Sequence, residues 1–440
     1  MKLTIIHPCI GRHRGDRRYL RTWQMESLPA AVIAGLTPKD VAVKFYDDRM
    51  ETIPFDEPTD LIAISVETYT ARRAYQIASE YRRRRVPVVM GGFHATLCPA
   101  EVARFAESVV IGEAEGIWPR VIDDYRHGTP QKFYRQTSRP SLVGLQPDRS
   151  IFAGKRYVKL GLVEAGRGCQ FRCEFCAVQS VFGATQTRRP PDEIVAELRR
   201  LRHRYFFFVD DNITSNLEQA KDFLRALAPL GIRWVSQASI NAAHDEEFLE
   251  LLARAGCQAV LIGFESLNRN NLRTMHKGWN AGFEGALANL RRHRLGVYGT
   301  FIFGYDDDTP EVFTETVRFA EEQGLFIAAF NHLTPFPGTP LYERLAKESR
   351  LLYDAWWLDE RYRYNMIPYR VKHMPPEELQ RQCLEARRRF YRLGGIWKRR
   401  QDCLPGHYFM INAMIRREIA QRDGLPLGDE AWQGQLLQAN

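Results

Sequence analysis

Two series of short apolar runs, each run separated from the next by a helix-like stretch, constrain the folding of this 440-residue chain more than any other feature. In the first series, KLTIIH (2–7), VAVKFYD (41–47), LIAISV (61–66), VPVVMGG (86–92) and SVVIG (108–112) are too short for helices and rich in Val and Ile. They read as parallel strands buried on both faces. Between them, residues 70–84 place Ala71, Ala74, Ile77, Ala78 and Tyr81 on one helical stripe. That alternation predicts a doubly wound, Rossmann-like α/β domain over residues 1–130. Residues 131–158 hold Pro140 and Pro147 without a sustained period and read as a crossing linker.

The second series runs through KLGLVEA (159–165), YFFFV (205–209), IRWVS (232–236), QAVLIGF (258–264), VYGTFIF (297–303) and FIAAFNHL (326–333). Helical patterns intervene, one at 192–203 with Asp192 as N-cap and Ile194, Val195, Leu198 and Leu201 on a stripe. Six such units predict a partial (β/α)6 TIM-type barrel over 159–345, closed by the loop PFPGTP (335–340). Residues 346–440 are Arg-rich, aromatic and helical, and read as a smaller third region.

An apolar fraction of 45% and a charged fraction of 26% exclude a disordered or fibrous chain. The formal charge is +9, but of the basic runs at 82–85, 291–294, 387–389 and 398–400 most fall on polar helix sides, and acidic residues lie among them. They read as solvated faces, so no nucleic-acid partner is expected; peripheral contact with a membrane surface stays open. No apolar run reaches bilayer length, and the start MKLTIIHPCIG is broken by Pro8 and followed by Arg12, Arg14, Arg17 and Arg18. A cytoplasmic location is expected.

Of eight cysteines, Cys9, Cys98, Cys257, Cys383 and Cys403 stand singly, whereas Cys169, Cys173 and Cys176 fall within one short segment. In a cytosolic chain such a cluster reads as metal or redox chemistry. It lies directly after the first strand of the second series, on the face where parallel barrels build active sites. Structural zinc would need a fourth ligand, and none follows before His203. A cubane [4Fe–4S] cluster held by three thiolates keeps one iron open for a small molecule.

The C-x3-C-x-aromatic-C pattern, with Phe175 as the aromatic, resembles the radical S-adenosylmethionine (SAM) superfamily. There the three cysteines hold the cluster, and its open iron binds the amino and carboxylate groups of SAM. Reductive cleavage gives a 5′-deoxyadenosyl radical. The same resemblance assigns SAM contacts to Phe175 in the cysteine segment, Asp210, Asp211 and Asn212 after the second strand, Gln237 and Ser239 after the third, and Glu265 after the fourth. GTFIFGYD (299–306) and TPFPGTPLY (334–342) look like the fifth and sixth strand ends of that family. Taken from the residues alone, the alternative is that Asp210, Asp211 and Glu265 cap the helices that follow, a reading weaker for Glu265 than for the two aspartates.

Residues 1–130 resemble the cobalamin-binding domain that precedes the barrel in one large class of the superfamily, which includes its methyltransferases. The matching positions are Ser65 and Thr68, Gly91, Gly92 and His94, and Gly112 and Glu113. Glycines at such strand ends let a ligand approach backbone. A D-x-H-x-x-G segment is absent after the first strand, so cobalamin is expected without a protein histidine on cobalt, and His94 reads more simply as a hydrogen-bonded or packed residue.

The resemblance implies methylation of an unactivated carbon of a lipid, a tetrapyrrole or another specialised metabolite, with an electron donor such as flavodoxin or ferredoxin. The alternatives are an oxygen-independent oxidation or cyclisation, or a radical enzyme that has lost cobalamin. A tRNA methylthiotransferase would carry a second three-cysteine set, whereas only Cys9 and Cys98 precede Cys169. Trp356, Trp357, Tyr362, Tyr364 and Tyr369 could cover the barrel mouth or simply pack a core.

Overall fold

The computed structural model describes residues 1–15, 24–279, 282–400, 407–421 and 423–438; Arg17, Arg18 and Cys403 lie outside them. The first sheet contains β1 (Lys2–His7), β2 (Ala42–Asp47), β3 (Leu61–Ser65), β4 (Val88–Gly91), β5 (Ser108–Ile111) and β6 (Phe133–Arg135). All pairings are parallel and the order is β2-β1-β3-β4-β5-β6. The strand order reverses between β1 and β3, where such sheets open a crevice beyond their C-terminal ends.

Both faces of this sheet are covered, which explains its unbroken apolar strands. Leu3, Ile5, Leu61 and Ala63 pack with the helices Leu28–Leu36 and Trp118–Arg126. Ile6, Ile62 and Ile64 pack on the other side with the helix Ala71–Arg83, whose expected stripe of five residues is buried throughout. β6 was expected as linker. A three-residue run is too short to show a period, yet Tyr134 is buried and the strand pairs with β5.

The second sheet orders β7 (Gly161–Val163), β10 (Tyr205–Phe208), β11 (Arg233–Gln237), β12 (Cys257–Glu265), β13 (Gly296–Phe303) and β14 (Ile327–His332) sequentially and in parallel. Among the described residues β14 and β7 are not paired, as an incomplete barrel requires. An unanticipated antiparallel hairpin, β8 (Gly166–Gly168) with β9 (Gln186–Arg188), brackets the cysteine segment. The helix after it spans Pro191–Leu201, and its N-cap is Pro190, not Asp192. Proline is favoured at the first helical position, so Pro191 shifts the start; Asp192 then lies in the first turn, where its charge suits the helix dipole.

The C-terminal region clasps the other two rather than standing apart. The helix Pro376–Phe390 buries Leu379, Cys383, Ala386 and Phe390 in the barrel core. Trp356, Trp357 and Tyr362 join the core of the first sheet, and Tyr369 joins that of the barrel. These aromatics therefore pack between layers instead of covering the barrel mouth. The chain end lies along the helix Ala71–Arg83: Asp429 N donates to Gln76 Oε1 at 2.8 Å and Leu437 N to Ser79 Oγ at 2.9 Å. No helix among the described residues is long and apolar enough to cross a membrane.

Candidate active site

The cysteine segment leaves β8 at the C-terminal end of the barrel and is tied down at several points. Gly168 adopts a φ of +94° and its Cβ would meet Thr185 O at 2.2 Å, so only glycine closes the hairpin there. Gln170 N donates to Ser215 Oγ at 2.9 Å, and Glu174 N to Met275 O at 3.2 Å. The Glu174 carboxylate accepts from Tyr305 at 2.6 Å and from Arg344 at 2.9 Å. Phe171 stacks on Trp279 with ring centroids 3.9 Å apart. The segment is thus held by loops that follow β10, β12 and β13 and by the helix Pro340–Lys347.

Cys173 is buried; Cys169 and Cys176 are half-buried. Burial pushes the Cys173 thiol up to about 12 and raises that of Cys176, so ligation would have to supply the charge that stabilises both thiolates. Among the described residues no three His, Cys, Asp or Glu side chains converge as donors to one metal ion. In a cubane cluster each thiolate takes a different iron, so an all-sulfur set spread along a short loop fits the cluster better than a single zinc.

The polar strand ends surround this loop. Asn212 Nδ2 donates to Cys169 Sγ at 3.5 Å and to Ser239 Oγ at 2.9 Å, while its Oδ1 accepts from Thr214 N at 3.1 Å and Thr214 Oγ1 at 2.8 Å. Asp211 accepts from Gly168 N at 2.7 Å, and Asp210 from Ala165 N at 2.8 Å. Burial lifts both carboxyls, that of Asp210 up to about 7, and Asp210 Oδ2 has no partner. Neither caps a helix: the next one, Leu217–Leu227, is capped by Asn216. Gln237 is exposed at the end of β11, and Phe175 packs against the barrel core.

Glu265 is also not a cap, because Asn268 caps the helix Arg269–Thr274. Its backbone has a φ of +63° at a register shift in β12, a strained conformation for a residue other than glycine. Its carboxylate accepts from Lys277 Nζ at 2.6 Å, and Lys277 also donates to Gly263 O at 2.9 Å. Gly263 makes room for this pair, since a Cβ there would stand 2.2 Å from Glu265 Oε1. Lys277 was not foreseen; nothing in sequence marks a lysine twelve residues beyond a strand-end glutamate as its partner.

Beyond the C-terminal ends of β1, β3, β4 and β5 lies a cavity of about 620 Å³. Ser65, Gly91, Gly92, Gly112 and Glu113 line it, as do His7, Arg49 and Glu67, which sequence reading had not assigned to it. Gly92 has a φ of +100° and its Cβ would meet Val66 O at 2.9 Å; Gly112, with a φ of +88°, has open space beside it. Glu67 is accessible to water yet enclosed by protein, as a side chain standing in a cavity must be, and burial raises its carboxyl. Thr68 and His94 lie outside the cavity wall. His94 is fully buried, with Nδ1 3.3 Å from Thr68 Oγ1 and Nε2 3.0 Å from Glu101 Oε1, so both ring nitrogens are engaged.

The far wall of the same cavity belongs to the barrel and includes Leu162, Glu164, Arg167, Val209 and Asp211. Arg167 pairs with Glu113 at 3.1 Å, Glu115 at 2.9 Å and Glu164 at 2.7 Å. Arg139 adds a second contact to Glu113 at 2.8 Å and donates to Thr187 at 3.0 Å. Two half-buried arginines thus tie the first domain to the hairpin that carries the cysteines.

Residues 163–320 match the family model of the radical SAM superfamily. Bacteriochlorophyllide d C-12(1)-methyltransferase of Chlorobaculum tepidum is 31% identical over 401 residues, covering 88% of this chain and 87% of that protein. The chain belongs to the radical SAM superfamily. Bacteriochlorophyllide d C-8(2)-methyltransferase of the same organism is 28% identical over 348 residues, covering 74% and 77% of the two chains. The fold is shared with the radical SAM methyltransferase TsrM of Kitasatospora setae, solved with cobalamin and a [4Fe–4S] cluster, at a TM-score of 0.62 and 19% identity over 79% of this chain and 75% of that one. As a radical SAM enzyme the protein works with a [4Fe–4S] cluster and SAM, and Cys169, Cys173 and Cys176 are the donor set that fits the cluster.

Proposed function

We propose that this protein is a cobalamin-dependent radical SAM C-methyltransferase acting on a tetrapyrrole. One observation carries the reading: the cavity at the strand ends of the first domain shares its wall with the barrel face that bears the cysteine loop. When bound, the cluster would supply the electron that cleaves SAM, and cobalamin in the cavity would supply a methyl carrier. Gly91, Gly92 and Gly112 leave backbone open to such a ligand, and Ser65 offers it a hydroxyl. Asn212, held by Ser239 and Thr214, donates to the Cys169 sulfur, while Asp211, Gln237 and Glu265 stand at the strand ends proposed to receive SAM. The tetrapyrrole substrate is supported by the names of the two bacteriochlorophyllide methyltransferases.

Anaerobic turnover with SAM, cobalamin, a reductant such as flavodoxin and a chlorin substrate tests this. A product heavier by about 14 mass units, one CH2, is expected. SAM cleavage with a product lighter by hydrogen or heavier by oxygen would overturn methylation in favour of oxidation or cyclisation.

A further inference from the structure

Residues 386–417 contain nine Lys and Arg against a single Asp, so this short segment holds nearly all of the chain's net charge. Several other basic residues are neutralised in place: Arg82 meets Glu107 at 2.6 Å, Arg84 meets Glu80 at 2.9 Å, and His293 meets Glu246 at 2.7 Å. By contrast Arg388, Arg389, Lys398, Arg400, Arg416 and Arg417 are all exposed, and among the described residues none forms an ion pair.

The helices that hold Lys398, Arg416 and Arg417 also carry large apolar side chains, and the Arg400 guanidinium lies 5.9 Å from the centre of the Trp397 ring. Leu393 is 68% exposed, Trp397 66%, Met410 55% and Phe409 42%. The rings of Trp397 and Phe409 lie 5.7 Å apart, so the apolar patch is continuous across the helices Leu393–Lys398 and Tyr408–Glu418. The platform beneath is firmly built. Ile396 and Tyr408 pack with Ala259 and Phe326 near the starts of β12 and β14, and Arg399 donates to Leu325 O at 2.9 Å. The exposed aromatics are therefore presented by rigid structure. They also stand at the opposite end of the strands from the cysteine loop, where neither the substrate of the barrel nor an electron donor to its cluster would bind.

We propose that this face docks on the surface of an anionic phospholipid bilayer. Trp, Phe, Leu and Met suit the boundary between headgroups and acyl chains, and the unpaired Arg and Lys around them suit lipid phosphates. Both helices are too short to span, so the contact is peripheral. It is independent of the methylation chemistry, since neither helix contributes to the site.

The test is co-sedimentation of the full-length protein with vesicles of equimolar phosphatidylglycerol and phosphatidylcholine, against phosphatidylcholine alone. Binding to the anionic vesicles only, weakening with added salt, is expected. Trp397→Ala with Phe409→Ala, and separately Arg416→Glu with Arg417→Glu, should each weaken it at least about tenfold. SAM cleavage in solution should be unchanged in both, which shows that the variants fold. With brominated lipid, tryptophan quenching should appear in the wild type and disappear in Trp397→Phe. Failure of the wild type to bind anionic vesicles, or undiminished binding by both double variants, would overturn the proposal. So would a dimer in solution that Trp397→Ala with Phe409→Ala dissolves, which would make a second copy the occupant.

Discussion

Replacing Glu265 with Gly separates what this residue does for the fold from what it does for SAM. Its φ of +63° costs a non-glycine residue about 1–2 kcal/mol, which Gly would recover. Against that gain, Lys277 would lose its carboxylate partner at 2.6 Å while remaining 9% exposed, with only Gly263 O left to accept from it. Breaking a buried pair from one side costs about 3–5 kcal/mol, so a net loss of roughly 2–3 kcal/mol is expected. For a chain of this size that lowers the apparent melting temperature by on the order of 5 °C.

Adding Lys277→Met removes the orphaned ammonium, so the double variant should recover most of that loss in differential scanning fluorimetry. It should still fail to bind SAM after cluster reconstitution, as measured by equilibrium dialysis. If Glu265→Gly is as stable as the wild type, the pair contributes no more than glycine recovers, about 1–2 kcal/mol, well short of a buried pair. If the double variant binds SAM normally, Glu265 has no place in that site.

Cys173→Ala should abolish reductive SAM cleavage and lower bound iron; retained cleavage would remove the cluster from these cysteines. Arg167→Met leaves Glu115 and Glu164 without their arginine and Glu113 with Arg139 alone, so limited proteolysis between the first domain and the hairpin should accelerate several-fold, with about 3 kcal/mol of stability lost. His332 is enclosed and its imidazole is held down to about 3, first by burial and then by Arg387. The unfolded chain takes that proton below about 6.5 while the folded chain refuses it, so stability present above pH 6.5 drains away as the pH falls. His332→Phe should therefore gain about 2 kcal/mol more over the wild type at pH 5 than at pH 7.5, read from melting curves.

Most of the fold was legible because buried parallel strands announce themselves as Val- and Ile-rich runs; every strand of both expected series formed. What escaped were elements whose pairing, not composition, defines them. Gly166-Arg-Gly168 becomes a strand only because Gln186-Thr-Arg188 returns beside it, and Phe133-Tyr-Arg135 only because β5 presents an open edge. The site divides in the same way. Three cysteines in one loop are a local signal, and so are paired glycines after a strand. Lys277 on Glu265, Arg344 on Glu174 and Arg167 on Glu113 and Glu115 are contacts between separate segments, with no counterpart in local pattern. Asp210 and Asp211 were visible as strand-end acids, but the backbone amides they hold became apparent only in the folded chain.

Cobalamin occupancy of the purified protein tests the central claim most directly. Expressed with ample cobalamin and reconstituted with iron and sulfide, the chain should retain one corrinoid per polypeptide through gel filtration, measured by its visible absorbance. Protein that carries the cluster and cleaves SAM but elutes with an empty cavity would contradict the account.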